Sequence, residues 1–104
     1  MYRFSIGRDE NCDVVLQGAS VSRQHAFLIF RSDGTIQFED ADSTNGSYLV
    51  EAGELVRIRS TYLQPDACLR LGKLQVSLSE ILLRIRTKIR LDRVADSSEH
   101  LSQM

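Results

Sequence analysis

The chain lacks tryptophan, and it has one proline and two cysteines in 104 residues. No apolar run approaches the roughly 18 residues of a membrane-crossing helix, and the N-terminus has no basic-then-apolar leader pattern. Both absences speak against membrane insertion and favour a cytoplasmic location. Cys12 and Cys68 are too few and too far apart to form a disulfide framework or a zinc site, so they read as free thiols in a reducing compartment. The acidic run Asp9, Glu10 and Asp13 reads as a solvated face, so no metal and no cofactor is expected. Formal net charge is −1, and a near-neutral domain is a poor nucleic-acid binder on electrostatics alone. What remains, at 42% hydrophobic and 26% charged, is one ordinary soluble domain with a single core.

Charge is nevertheless unevenly spread. Residues 1–78 carry −2, residues 79–93 carry +3, and residues 94–104 carry −2. The first stretch alternates apolar and polar residues in short segments, which is the mark of half-buried strands. Tyr2, Phe4 and Ile6 open the chain, and a polar loop follows from Gly7. Val14 to Leu16 is a short apolar run, and Ala26 to Phe30 is nearly continuous, as suits a central strand covered on both faces. Asp33-Gly34 predicts a tight hairpin leading to Ile36 and Phe38. Further strands are expected at Ser47–Val50, around Leu55 to Ile58, at Leu69 and Leu71, and from Leu74 to Leu78, with residues 59–66 as a polar connection. So many short strands with turn signals between them indicate an all-β antiparallel sandwich.

Between two of these strands lies Asp40-Ala41-Asp42-Ser43-Thr44-Asn45-Gly46. Asn45-Gly46 suits a tight turn, and the hydroxyl, amide and carboxylate side chains can bond the local backbone or an outside group. Two further loops stand at strand ends, Gly7-Arg8 and Ser22-Arg23-Gln24-His25. Together the three offer donors. Arg8 and Arg23 have a planar fork that matches phosphate geometry, Ser22 and Thr44 carry hydroxyls, and Asn45 carries an amide. Meeting at one end of a sandwich, they would make a shallow anion site.

The order Gly-Arg, Ser-x-x-His, Asp-x-x-Ser-Thr-Asn-Gly, followed by Leu69-Arg70-Leu71-Gly72, resembles the forkhead-associated (FHA) domain family over roughly residues 2–78. The resemblance implies a sandwich of about eleven strands that binds phosphothreonine peptides through its loops, as a signalling adaptor and not an enzyme. It implies that Arg8 and Ser22 contact the phosphate, that Arg23 adds a further contact, and that Thr44 helps close the pocket. Asn45 would hydrogen-bond the ligand backbone, and Ser20 would lie near a residue read C-terminal to the phosphothreonine. Gly7, His25, Asp40, Ser43 and Gly46 would build and brace the loops. The partner would be a protein phosphorylated by a Ser/Thr kinase. Ser47, Glu51-Ala52-Gly53 and Pro65-Asp66 depart from the family pattern in turns, which leaves ligand selectivity open.

Two rival functions compete with this reading. A hydrolase with Ser22 as nucleophile and His25 as base fails, because the two lie three residues apart in one loop and no Gly-x-Ser-x-Gly elbow exists. A phosphate-independent assembly module keeps its place because of the extension, residues 79–104. Across 83–91 apolar Leu83, Ile85, Thr87, Ile89 and Leu91 alternate with basic residues, so an extra strand or a partner-dependent segment is expected there, with a helix as the close alternative. Ser77 and Glu80 have the spacing of a helix capping box. An unpaired apolar edge in 79–93 would allow homodimerisation, and the tail 94–104 reads as polar and disordered.

Overall fold

The computed structural model describes residues 1–86. Nine strands fall among them: β1 (Tyr2–Gly7), β2 (Val14–Val15), β3 (Ala26–Phe30), β4 (Ile36–Asp40), β5 (Ser47–Glu51), β6 (Glu54–Ile58), β7 (Ser60–Tyr62), β8 (Cys68–Leu71) and β9 (Leu74–Ser77). A helix, α1, occupies residues 78–86. The strands form a five-stranded sheet in the order β2-β1-β3-β4-β7 and a four-stranded sheet in the order β6-β5-β8-β9. Pairing is antiparallel except between β1 and β2. The all-β sandwich expected from alternation is the fold that forms.

Alternating side chains of the two sheets face each other across one core. Ile6, Leu28 and Phe38 come from one sheet and Leu69, Leu71 and Val76 from the other, all buried in the same cluster. β3 lies between β1 and β4 and is covered on both faces. Leu28 packs inward, while the Arg3 guanidinium lies 3.7 Å from the centre of the Phe27 ring on the outside. A cation over an aromatic face is attractive and also shields the ring from water.

Three expectations need correction. The polar connection predicted for 59–66 contains β7, which pairs Gln37 with Tyr62 and Glu39 with Ser60 at the sheet edge. Its three residues are too few for alternation to register. Leu78 begins a helix instead of ending a strand, and residues 83–86 are helical, not extended. The Ser77 hydroxyl accepts a hydrogen bond from the Glu80 N–H at 3.1 Å, as an N-cap does. Leu78, Ile81 and Ile85 then lie on one helical face and are buried in the sandwich core. Tertiary packing therefore wins over the period-two pattern of 83–86. The rest of the predicted strand, residues 87–91, and the tail lie outside the described residues.

Of the two thiols, Cys12 is buried and Cys68 is half-buried, and both are free. No helix among the described residues is long and apolar enough to cross a membrane.

Candidate binding site in the loops at one end of the sandwich

The three predicted loops converge, and backbone hydrogen bonds hold them together. The Arg8 N–H donates to the Ser22 carbonyl at 3.0 Å and the Asp9 N–H to the Arg23 carbonyl at 3.1 Å, so the β1–β2 and β2–β3 loops run side by side. Gly7 permits this approach. A Cβ there would lie 2.0 Å from the Arg23 carbonyl oxygen, far inside van der Waals contact, although Gly7 has no unusual φ.

His25 is fully buried and works as a strut. Its Nδ1 accepts from the Ser22 N–H at 3.0 Å, which leaves the proton on Nε2 to be donated to the Gly46 carbonyl at 3.0 Å. Burial pushes the imidazole pKa below its ordinary value, against the Gly46 hydrogen bond and the nearby Asp40 charge, which act upward. The neutral tautomer that the geometry needs is thus the one the environment favours. The ring ties the β2–β3 loop to the β4–β5 loop.

Asp40 organises the β4–β5 loop from inside. Its carboxylate accepts from the Ser43 N–H at 2.8 Å, the Ser43 hydroxyl at 2.7 Å and the buried Ser47 hydroxyl at 2.5 Å. Burial raises the pKa of this carboxyl, but the bonds from Ser47 and Ser43, with the proximity of His25, outweigh it and hold the pKa below the ordinary range. The Ser43 oxygen also accepts from the Gly46 N–H at 3.1 Å. Gly46 itself adopts φ 84°, a left-handed conformation that glycine enters without strain.

The outward-facing set sits on this frame. The Ser22 hydroxyl oxygen accepts from the Thr44 N–H at 3.0 Å, which leaves its own proton free to donate outward. Arg8 is exposed, and its Nε donates to the Val21 carbonyl at 3.0 Å. That bond fixes the plane of the guanidinium while its Nη atoms keep four N–H donors, and no ion pair claims them among the described residues. Arg8, Ser22 and Thr44 are therefore brought together. The Asn45 amide donates to the Ser20 carbonyl at 2.9 Å. Arg23 is exposed next to Ser22 in the same loop, and it also borders a separate hollow of about 180 Å³ with Asp9, Asn11 and Cys12.

A fourth loop, legible in the sequence as a turn but not as part of the site, completes the arrangement. The β8–β9 turn at Gly72-Lys73 is pinned by the Gly72 N–H to the Gly46 carbonyl at 2.9 Å and by the Lys73 N–H to the Ser20 hydroxyl at 2.8 Å. Gly72 adopts φ 61°, and a Cβ there would lie 2.3 Å from the Ser20 carbonyl oxygen. The signal was the glycine ending Leu69-Arg70-Leu71-Gly72, which marks a turn but not what it touches. Beside these loops opens a groove of about 740 Å³ whose lining includes Ser20, Asn45, Tyr48, Leu55, Arg70 and Lys73. Of these, Tyr48, Leu55, Arg70 and Lys73 were not singled out from the sequence.

Nothing in the loops forms a nucleophile paired with a base, and among the described residues no group of three or more His, Cys, Asp or Glu side chains could hold a metal ion. A two-sheet sandwich whose loops present outward donors on a rigid frame defines a class of recognition modules. The FHA domain sequence model matches residues 4–72, and the chain belongs to the FHA domain family. Solved FHA structures superpose on it. The FHA domain of the CT664 protein from Chlamydia trachomatis is 29% identical with a TM-score of 0.62, over 71% of this chain and 72% of that one. The N-terminal FHA domain of Rad53p from S. cerevisiae, in complex with a phosphothreonine peptide, is 26% identical with a TM-score of 0.58, over 68% and 56%. The FhaA FHA domain, complexed with the intracellular domain of Rv3910, shares the fold at 23% identity and a TM-score of 0.62, over 70% and 75%. No curated protein sequence matches the chain.

Proposed function

We propose that the chain is a phosphothreonine-dependent peptide-binding module that serves as an adaptor for a phosphorylated protein, and that it carries out no catalysis. One observation carries the proposal: the Ser22 hydroxyl, its acceptor side occupied by the Thr44 N–H, stands beside an Arg8 guanidinium whose plane is fixed and whose Nη donors are unclaimed. A phosphothreonine brings a charge of about −1.5 to −2 and three acceptor oxygens. Arg8 and Ser22 supply the direct phosphate contacts, Thr44 flanks the pocket, and Asn45 holds the ligand backbone. Membership of a family in which the Rad53p domain is seen with a phosphothreonine peptide supports the same assignment. Arg23, exposed beside Ser22 in the same loop, adds a further phosphate contact.

The assembly alternative loses part of its basis, because the apolar face of 78–86 is spent on the domain's own core. The test is calorimetric titration with phosphothreonine, phosphoserine and unphosphorylated peptide pools, repeated with Arg8→Ala. Charge-assisted hydrogen bonds contribute about 1.5–3 kcal/mol each, so Arg8→Ala is expected to cost at least about tenfold in affinity. Equal binding of phosphorylated and unphosphorylated pools would overturn the proposal.

A further inference from the structure

Asparagine occurs twice in the chain, and only Asn45 precedes a glycine. That pair carries a reaction of its own. The backbone nitrogen of the following residue attacks the asparagine side-chain carbonyl carbon, a new N–Cγ bond closes a cyclic imide, and ammonia leaves with the proton. Water then opens the ring at either carbonyl, which gives aspartate or isoaspartate. The step is not a redox reaction, and water is its only co-reactant. Glycine in second place favours the attack because no side chain shields its nitrogen. Asn11 is followed by Cys12 and lacks that advantage.

The loop cannot dispense with the glycine. Gly46 adopts φ 84°, and a Cβ on it would lie 3.1 Å from the Tyr48 hydroxyl and 3.3 Å from an Arg57 Nη atom. Restraint comes from hydrogen bonds instead. The attacking nitrogen donates its proton to the Ser43 hydroxyl oxygen at 3.1 Å, and the leaving amide donates to the Ser20 carbonyl at 2.9 Å. Backbone carbonyls on both sides are also held, that of Asn45 by the Tyr48 hydroxyl at 3.3 Å and that of Gly46 by His25 at 3.0 Å. Attack on Cγ requires both the nitrogen and the amide to be released. Asn45 is exposed, so water reaches the ring once it closes.

The same bonds assemble the binding site. After deamidation a carboxylate oxygen faces the Ser20 carbonyl where an N–H stood, so two acceptors meet and the link to the β2–β3 loop is lost. The new negative charge stands beside donors arranged for a phosphate. Isoaspartate, in addition, lengthens the backbone within the turn that Ser43 and Gly46 close. We infer that Asn45-Gly46 is a site of covalent self-modification, that deamidation there disables phosphopeptide binding, and that the closed loops, held shut by a bound ligand, control its rate. The loss of binding rests on the function proposed above, whereas the chemistry and its restraint do not.

The chain is incubated at mildly alkaline pH in buffer and in urea sufficient to unfold it. Peptide mapping by mass spectrometry follows deamidation at Asn45, with Asn11 as the internal reference. Because two hydrogen bonds must open, the folded chain is expected to react about five- to a hundredfold more slowly than the unfolded one. A phosphothreonine peptide at about a hundred times its Kd slows the folded chain by about a further hundredfold, and the unphosphorylated peptide does not. The deamidated chain, separated by ion exchange, and Asn45→Asp are then titrated with the phosphopeptide. Both are expected to bind about tenfold or more weakly while still melting cooperatively. Asn45 that converts as fast in buffer as in urea overturns the inference, as do deamidated and Asn45→Asp chains that keep native affinity. A native chain that binds phosphorylated and unphosphorylated peptides alike overturns the proposed function and the binding half of this inference, while the rates in buffer and urea still judge the chemistry.

Discussion

Gly7→Ala is the most demanding test of the loop architecture, because it introduces one methyl group and touches no ligand donor. The new Cβ would sit 2.0 Å from the Arg23 carbonyl oxygen and 2.7 Å from the carbonyl carbon. These are backbone atoms, so no rotamer change can relieve the clash. Ordinary contact needs more than an ångström of added separation, and the two loops must part. The bonds that join them, Arg8 N–H to Ser22 and Asp9 N–H to Arg23, are already 3.0 and 3.1 Å long and do not survive such a shift. At about 0.5–1.5 kcal/mol net for each, their loss costs about 1–3 kcal/mol. For a domain of this size that lowers the melting temperature by roughly 4–8 °C per kcal/mol. Because Ser22 and Arg8 move apart, phosphopeptide affinity falls as well. Gly34→Ala is the control. That glycine has φ 89° in the β3–β4 hairpin and nothing within 4 Å of its Cβ position, so only backbone strain of about 1–2 kcal/mol is expected, with affinity unchanged. Scanning calorimetry with peptide titration reads both effects. If Gly7→Ala melts within 2 °C of the native chain on the scale of that conversion and binds normally, the close-approach argument is wrong.

The buried His25 gives a pH dependence whose sign follows from its lowered pKa. The folded state holds fewer protons than the unfolded one, so stability is complete above the ordinary imidazole value of 6.5 and declines as pH falls below it. Thermal melts at pH 7.5 and 5.5 should show this loss in the native chain and a smaller one in His25→Gln. A second decline is expected below pH 3.8 as Asp40, whose pKa is depressed, takes up its proton and releases Ser43 and Ser47. Asp40→Asn, which removes the charge behind three hydrogen bonds, should destabilise by at least about 1.5 kcal/mol in urea titration and weaken peptide binding. Ile81→Ala should cost about 2–5 kcal/mol by the same measurement, since the side chain is fully buried between α1 and the sheets. A cost below about 0.5 kcal/mol would mean that the helix is dispensable to the core.

What the residues alone determined is what local chemistry controls. Period-two alternation marks a strand wherever one face is buried, so β1, β4, β8 and β9 were readable, and Asp33-Gly34 announced its hairpin. The donor set Arg8, Ser22, Thr44 and Asn45 was legible because each residue sits in an ordered motif in a loop at a strand end. Only the tertiary structure decided the rest. Residues 83–86 alternate like a strand, yet the Ser77 cap and a core needing Ile81 and Ile85 make them helical, because burial of an apolar face outweighs a local pattern four residues long. Arg23 and Arg8 look equivalent in sequence, but of the two it is Arg8 whose guanidinium is held by a backbone carbonyl, that of Val21. The groove joins Asn45 to Arg70 and Lys73, which are remote in sequence, and no spacing rule announces a meeting that strand pairing creates. Local pattern sets which groups the chain offers, and the register between strands sets which of them face one ligand.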